Sequence, residues 1–328
     1  MSNPSQAFGG FMAILTAGLT NGPKGIGQVL YFATPIMLTG LSVGFAFKTG
    51  LFNIGASGQF IMGAFAGIYV AVAVKPMGSG HWIIALLASF VAGALWALIP
   101  GLLKAYYNVH EVISSIMMNY IGMYLVNYLV GNSSVLFDQK RNQSLPVPES
   151  SQIPKFGLDK IFAGSSINSG IIIAIIAVLI MHIILNKTTF GYELKAVGFN
   201  RDASKYAGIN EKKSIIYSML IAGALAGLAG GLLYLAGSGK HIEIVDVIAA
   251  EGFTGISVAL LGLSNPIGIL FSALFIAYIM QGGFYLQLYN FSPQVIEIII
   301  AVIIYFSAFS LIIQSFISRI SKKKGDDE

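Results

Sequence analysis

Two glycine-rich stretches hold the polar side chains that could contact a solute within an otherwise strongly apolar chain. The first, GLFNIGASGQ, spans residues 50–59, and the second, AAEGFTGIS, spans residues 249–257. Their amide and hydroxyl groups can donate and accept hydrogen bonds, and their phenylalanines add flat apolar walls, a combination that suits a small polar solute. The pattern therefore predicts a solute path. We expect this path to be lined by Phe52, Asn53, Ser57, Gln59, Glu251, Phe253 and Thr254.

Both stretches have the pattern of helices that are broken inside a membrane. Irregular polar backbone at membrane depth is tolerated only where it lines a cavity or is buried in protein. Each stretch is followed by an apolar segment, at 58–74 and at 266–283, which suggests an internal repeat with a site at its interface. Two alternatives stay open. The glycines can serve close helix packing, and the Glu251 carboxylate can cap a helix end without touching solute.

The sequence contains no cluster of residues suited to catalysis. It has no cysteine, and its four histidines fall in separate segments, so neither a thiolate nor a histidine metal site is expected. Residues 237–240, GSGK, superficially resemble a phosphate-binding loop, but Tyr234 stands where such a loop needs glycine and His241 where it needs Ser or Thr. We therefore expect no cofactor, no metal and no enzymatic activity in this chain.

A polar island at residues 186–214 separates two long apolar segments. It holds six of the nineteen basic and three of the fourteen acidic residues, so it must face water, and its basic content predicts a cytoplasmic position. Residues 193–196 and 201–206 are expected to form two short helical pieces, broken by Gly198 and Gly208. The island is predicted to present a structured surface to another molecule. The alternative is a solvated connector.

The composition predicts the fold class. Hydrophobic residues make up 55% of the 328 residues, charged residues make up 10%, and the mean hydropathy is +0.77, which is more apolar material than a soluble core could absorb. We predict an all-α polytopic membrane protein with about nine membrane segments, two glycine-broken helices and an internal repeat. The predicted segments are 29–47, 58–74, 82–103, 111–130, 167–186, 214–237, 246–262, 266–283 and 294–318.

The distribution of charge predicts the topology. With the island inside, twelve of the nineteen basic residues fall on the cytoplasmic side. The net charge of +5 therefore reflects topology, and we expect no nucleic-acid partner. The predicted parts are an N-terminal interfacial segment (1–28), a transmembrane domain (29–318) with an external loop (131–166) and a cytoplasmic loop (187–213), and a cytoplasmic tail (319–328).

Three motifs, in chain order, resemble a known family. They are GLFNIGASGQF, NVHEVISSIMMNYI and FGYELKAVGFNRDASKYAGI. Together they are similar to the membrane permease of bacterial ATP-binding-cassette importers, in the branch that includes branched-chain amino acid, ribose and nucleoside permeases. The likeness is closest to the nucleoside branch that works with a basic-membrane-protein lipoprotein, and it covers about residues 31–316. Such permeases usually begin with a further spanning helix, which we expect to be absent here.

The resemblance implies partners and a role for the island. It implies a second homologous permease, a cytoplasmic ATPase, an external substrate-binding lipoprotein and a small-molecule solute of the nucleoside or sugar type. The chain would be half of a pore in a bacterial inner or plasma membrane, with its C-terminus cytoplasmic. Residues 187–213 would be the coupling loop that docks onto the ATPase. The implied coupling residues are Glu193, Leu194, Ala196, Gly198, Asn200, Ala203, Tyr206, Ala207 and Gly208.

A stand-alone secondary transporter or channel is the competing function, because glycine-broken helices suit both kinds of carrier. An intramembrane enzyme is a third class, but it would need a constellation of carboxylate, histidine or serine residues that the sequence lacks. Purified protein separates the first two: a stand-alone carrier moves solute by itself, whereas a permease needs its ATPase.

Overall fold

The computed structural model describes residues 4–75, 78–289, 291–292 and 294–306. Backbone groups in hydrocarbon must be satisfied within their own segment, so the long apolar runs of this chain fold as helices. The elements in chain order are α1 (Pro4–Thr20), α2 (Pro23–Lys48), α3 (Ala56–Ala73), α4 (His81–Tyr107), α5 (Glu111–Gly131), β1 (Phe137–Asp138), β2 (Gln143–Ser144), α6 (Leu158–Ile161), α7 (Gly170–Lys187), α8 (Thr189–Phe199), α9 (Arg201–Tyr206), α10 (Glu211–Tyr234), α11 (Ala250–Leu261), α12 (Pro266–Leu286) and α13 (Gln294–Phe306).

Seven helices within the described residues are long and apolar enough to cross a membrane, namely α2, α3, α4, α5, α7, α10 and α12. This confirms the all-α polytopic class. The predicted count of nine is not confirmed. The segment predicted at 246–262 contains only α11, whose 12 residues extend about 18 Å against a hydrocarbon thickness of about 30 Å. The segment predicted at 294–318 is helical as far as Phe306, and its remainder lies outside the described residues.

The bundle has two distinct ends. We call the end that carries β1 and β2 the hairpin end, and the end that carries α8 and α9 the island end. Helix α7 connects them, since it follows the 131–166 loop and leads into α8. Helix α2 also runs from one to the other: Gly27 packs against Phe162 and Ser165 at the hairpin end, while Lys48 lies beside α8 at the island end.

The centre of the bundle is built from helices whose backbones touch. A Cβ atom on Gly63 of α3 would lie 2.4 Å from the Cα of Gly227 in α10, and one on Gly93 of α4 would lie 2.3 Å from the carbonyl oxygen of Gly223. No larger side chain fits at such crossings, and small residues are what allow helices to approach this closely in lipid. Helix α10 is therefore the central helix against which α3 and α4 pack.

The two glycine-rich stretches differ in conformation. The first is non-helical between Lys48 and Ala56, where α2 ends and α3 begins. The second is not broken at its glycines, because Gly252 and Gly255 both lie within α11. A Cβ on Gly255 would come within 2.6 Å of the Thr39 hydroxyl oxygen, so this glycine allows close packing on α2. The irregular backbone instead precedes α11, over residues 235–249, and the internal repeat stays a prediction.

Residues 131–166 fold back onto the bundle at the hairpin end. Phe137 pairs with Ser144 in the hairpin, and the Ser144 backbone N–H donates to the Ile242 carbonyl over 2.8 Å. The Ile153 backbone N–H donates to the Leu235 carbonyl over 2.9 Å. The long loop is thus structured, and it packs against the irregular segment 235–249.

Helix α1 covers most of the segment predicted to lie along the interface. It packs along α12, where the Tyr278 hydroxyl donates to the Leu15 carbonyl and the ring lies against Gly18. Its interfacial position stays a prediction. The predicted cytoplasmic tail at 319–328 lies outside the described residues.

Candidate functional site

A buried amide network holds the non-helical segment 49–55 in place. The Asn53 side-chain N–H₂ donates to Gln59 Oε1 over 2.8 Å and to the Ser42 hydroxyl over 3.0 Å. The Gln59 amide returns a bond of 2.9 Å to Asn53 Oδ1. Asn53 is 0% exposed, so the two amides satisfy each other where water cannot. The predicted path residues Asn53 and Gln59 are therefore brought together, in contact with each other.

Asn119 of α5 fixes the start of α3 from the other side. Its Oδ1 accepts from the backbone N–H of Gly58 over 2.8 Å, and its Nδ2 donates to the carbonyl of Ile54 over 3.0 Å. These bonds satisfy one of the free N–H groups of the first turn of α3 and a carbonyl of the irregular segment. Ser42 and Asn119 were not among the predicted residues. A polar residue on the buried side of an apolar helix is the signal that could have identified them.

The first and second stretches meet at Ser57 and Gly252. A Cβ on Gly252 would lie 2.2 Å from the Ser57 hydroxyl oxygen, so α3 and α11 touch near their N-terminal ends. The Thr39 hydroxyl of α2 donates to the carbonyl of Glu251 over 3.0 Å and attaches the start of α11 to the same region. The structure thus brings Ser57 close to the second stretch through backbone packing.

The other members of the predicted path take no part in the side-chain hydrogen bonds of the amide network. Phe52 stacks on Phe47, with ring centroids 4.8 Å apart, and Phe253 is 45% exposed on the outer face of α11. The Thr254 hydroxyl donates to the Ala250 carbonyl one turn back. The Glu251 side chain lines a separate cleft at the hairpin end. The role of these residues as solute contacts stays a prediction.

A polar cleft opens at the hairpin end, with a volume of about 330 Å³. We call it the hairpin-end cleft. Its walls come from α3, α5, the end of α10, segment 239–249 and the first turn of α11. The lining includes Ile61, Met123, Asn127, Gln143, Tyr234, Lys240, His241, Glu243, Val245, Val247 and Glu251. The loop GSGK, set aside above as a nucleotide motif, thus contributes Lys240 to this cleft.

The island folds as two helices with well-defined caps. The Thr188 hydroxyl accepts from the Gly191 N–H over 3.0 Å at the start of α8, and Asn200 Oδ1 accepts from the Ala203 N–H over 2.9 Å at the start of α9. Such capping bonds satisfy N–H groups that a helix end leaves free. The expected break at Gly198 is wrong, because α8 continues to Phe199 and the chain turns at Asn200. The predicted helix at 201–206 is confirmed.

Most of the predicted coupling residues lie on the surface of the island. Glu193, Gly198, Asn200, Ala203, Tyr206, Ala207 and Gly208 are exposed, and Ala196 is half-buried. Leu194 differs: it is 1% exposed and packs in the main core, so it can only anchor α8. Phe199 and Tyr206 are 90% and 94% exposed. Tyr206 was among the predicted coupling residues and Phe199 was not, and together the two rings give the island an exposed apolar surface.

A cleft of about 680 Å³ runs between the island and the helix ends beneath it. We call it the island cleft. Its lining includes Lys48, Tyr192, Ala196, Phe199, Asn200, Ala203, Ala207, Asn265 and Pro266. The island is thus a raised surface with a groove along the side that faces α2 and the α11–α12 turn.

One ion pair connects α9 with α10 and another connects α4 with α5, both at the island end. Arg201 contacts both carboxylate oxygens of Glu211, through Nε at 2.6 Å and Nη2 at 3.4 Å, and its Nη1 donates to Asn108 Oδ1 over 3.3 Å. Lys104 at the end of α4 lies 2.8 Å from the Glu111 carboxylate at the start of α5. Residues on α4, α5, α9 and α10 are therefore joined at the island end.

Comparison with known proteins adds the family. The family model described as "Branched-chain amino acid transport system / permease component" matches residues 25–308. The chain is 41% identical to the guanosine ABC transporter permease protein NupP of Bacillus subtilis, over 91% of this chain and 85% of that protein. It is 37% identical to the nucleoside ABC transporter permease protein NupB of Lactococcus lactis, over 92% of this chain and 86% of that protein.

A second permease of Bacillus subtilis is also similar to this chain. The guanosine ABC transporter permease protein NupQ is 29% identical, over 76% of this chain and 78% of that protein. No solved structure matches the chain.

Proposed function

The chain belongs to the family of branched-chain amino acid transport system permease components, and we propose that it forms half of the membrane pore of an ATP-driven importer for nucleosides. It is a multi-pass membrane transport subunit and not an enzyme. The names of NupP and NupB support a nucleoside as the solute. The hydrogen-bonding and aromatic residues of the two glycine-rich stretches also suit a neutral, flat solute better than an ion.

The observation that carries the ATP-driven part of the proposal is the shape of the island. Two capped helices project from the bundle with Phe199 and Tyr206 almost fully exposed, beside the island cleft. Large aromatic side chains left in water mark surfaces that bind a protein partner. We propose that a cytoplasmic ATPase covers this surface, which makes the island end cytoplasmic and gives α8 and α9 the coupling role.

A second, homologous permease is the proposed partner within the membrane. Tyr120, Tyr124 and Tyr128 form a row on the outward face of α5, 48%, 54% and 66% exposed. Tyr120 lies nine residues after Glu111, about 14 Å from the start of the helix, where a phenol facing lipid has no partner for its hydroxyl. The existence of two similar permeases, NupP and NupQ, in one organism supports a paired subunit on this face.

The hairpin end is the proposed external side, where a substrate-binding lipoprotein would deliver the solute. The structured loop 131–166 provides a fixed surface for such a protein. The membrane would be the bacterial inner or plasma membrane, with the C-terminus cytoplasmic because of the basic residues of the tail.

The proposal is tested with the importer assembled from this chain and the products of its neighbouring reading frames, reconstituted in liposomes. We expect uptake of labelled nucleoside that requires ATP and the binding protein. Ala203→Trp on the island should abolish the stimulation of ATP hydrolysis by the loaded binding protein. Leu87→Trp, on the exposed face of α4, is the matched control and should leave it unchanged. Uptake by this chain alone, driven by an ion gradient, would establish the stand-alone carrier instead.

A further inference from the structure

The hairpin-end cleft is deep enough to reach the interior of the bundle. Its floor includes Ile61, twelve residues before the end of α3 at Ala73, and Met123, eight residues before the end of α5 at Gly131. At 1.5 Å per residue these positions lie about 18 Å and 12 Å below the hairpin end. Glu251, in the first turn of α11, lines the same cleft. A carboxylate that lines a cleft inside a membrane-spanning bundle marks a solute or ion pathway by default.

The wall of the cleft is held rigidly by hydrogen bonds. The Asn127 amide Nδ2 donates to the Val245 carbonyl over 3.0 Å and to the Asp246 carboxylate over 3.2 Å. His241 Nδ1 lies 3.1 Å from the carbonyl oxygen of Ser144. A carbonyl can only accept, so Nδ1 is the donor. The irregular segment 239–249 is thus held in one shape, which is how a binding site is preorganised.

The cleft offers both hydrogen-bond acceptors and donors, the donors being the Gln143 amide, the Tyr234 hydroxyl and the Lys240 ammonium group. The Glu251 carboxylate makes no hydrogen bond or ion pair with any residue that the structure describes. The N–H groups of Asn127 are engaged, which leaves its Oδ1 to accept. Such a lining matches a solute that carries N–H or O–H donors together with acceptors of its own. The apolar side chains of Ile61, Met123, Val245 and Val247 supply a flat wall beside them.

The charges around the cleft are mainly negative. Three carboxylates, those of Glu243, Asp246 and Glu251, lie in or beside it, against one ammonium group, that of Lys240. These carboxylates repel an anionic solute, and the energy of this repulsion rises with distance from bulk water. A phosphate group therefore does not suit this site.

From these observations we propose that the hairpin-end cleft is the outer solute site of the pore, and that it accepts neutral nucleosides and rejects their phosphorylated forms. Glu251 at the floor accepts N–H or O–H groups of the solute, and the aliphatic wall covers the base. This inference depends on the proposed function, because it specifies where and how that solute is held. A volume of about 330 Å³ lies at the lower end of the range for small-molecule sites.

The site is tested by cysteine protection, because the chain has no cysteine of its own. Val247→Cys places a thiol at an exposed position of the cleft wall, and Val135→Cys places one at the hairpin end outside the cleft. In the assembled importer without its binding protein, excess nucleoside should slow maleimide labelling at Val247→Cys and not at Val135→Cys. The nucleoside monophosphate should protect neither. The importer without any substitution, supplied with binding protein and ATP, is assayed for nucleoside uptake.

Glu251→Gln, added to Val247→Cys, shows whether the carboxylate makes the contact. Loss of one charge-assisted hydrogen bond should raise the nucleoside concentration needed for half protection about tenfold. Glu149→Gln removes an exposed carboxylate at the same end outside the cleft and should leave that concentration unchanged. Two results would overturn the site and leave the proposed function intact. One is normal nucleoside transport without any protection of Val247→Cys. The other is a concentration for half protection that is the same with and without Glu251→Gln.

Two further outcomes separate the causes of failure. Protection of Val247→Cys by the binding protein alone, with none by free nucleoside, would make the cleft a protein-docking surface and would overturn the proposal. If the importer without any substitution takes up no nucleoside when the binding protein and ATP are both supplied, the proposed function itself is contradicted.

Discussion

Gly50 and Gly198 touch backbone to backbone. A Cβ atom on Gly50 would lie 2.4 Å from the Cα of Gly198, and one on Gly198 would lie 2.6 Å from the backbone nitrogen of Gly50. The irregular segment that follows α2 therefore sits directly on α8. Leu51 packs in one cluster with Val197 of α8 and Ile215 of α10. The segment that holds Asn53 is thus in steric contact with the proposed coupling helix, so that a displacement of α8 would move it.

Alanine at Gly50 should both destabilise the protein and weaken the coupling. Gly50 has φ +76° and no room for a side chain, whereas Gly157, which lies outside both clefts, has φ +81° with nothing within 4 Å of the added atom. Both variants carry the strain of a positive φ, and only Gly50→Ala adds a clash. We expect overpacking to cost Gly50→Ala a further amount of about 1–3 kcal/mol. Thermal unfolding and ATP-dependent uptake are measured for both alanine variants. Equal melting temperatures and equal uptake would show that the contact between Gly50 and Gly198 is unimportant.

Asn53→Leu should lower the stability of the protein because it leaves the buried amide of Gln59 unpaired. It removes the reciprocal amide pair and leaves Gln59, itself 1% exposed, without its partner, at a cost of about 1–3 kcal/mol. The double variant with Gln59→Leu should recover part of that loss, because replacing both partners by apolar groups avoids the unpaired amide. Thermal unfolding of the unsubstituted protein, of each single variant and of the double variant gives a double-mutant cycle. Strictly additive losses would show that the amides do not depend on each other.

Arg201→Lys should impair coupling more than stability. The guanidinium of Arg201 contacts both oxygens of Glu211 and also Asn108, and an ammonium cannot reproduce that fork. Because the pair is partly exposed, the loss of stability should stay below about 1 kcal/mol, while binding-protein-stimulated ATP hydrolysis falls. Lys205→Arg, on the exposed face of α9, is the control. A large drop in melting temperature with normal hydrolysis would reverse this interpretation.

Cysteine labelling tests the orientation of the whole bundle. A thiol introduced at Ser150, exposed at the hairpin end, should react with a membrane-impermeant reagent added to intact cells. A thiol at Ala203 on the island should react only after the membrane is permeabilised, because the basic residues of the island oppose its translocation. The opposite pattern would invert the topology and remove the island from the cytoplasm.

Several properties of this protein could be predicted from the sequence because they depend on neighbours along the chain. Hydropathy over about 20 residues predicted the seven helices of membrane-spanning length that occur among the described residues. The run of charged residues between two apolar segments predicted the island, and the pattern of residues 201–206 predicted the short helix α9. Three ordered motifs were sufficient to indicate the family, which the comparison confirmed.

The arrangement of the site depended on contacts between distant parts of the chain, and only the tertiary structure decided it. Local sequence presented Gly198 as a helix break, yet its role is contact with Gly50, 148 positions earlier. Asn53 and Glu251 were predicted on one path, but helix packing buries Asn53 against Gln59 and directs Glu251 into the hairpin-end cleft. The physical reason is that hydropathy and helix propensity report whether a segment is buried or helical, whereas the partner of a buried polar group depends on how helices pack. In this chain that packing is determined by glycine contacts between α3, α4 and α10, which no local pattern reveals.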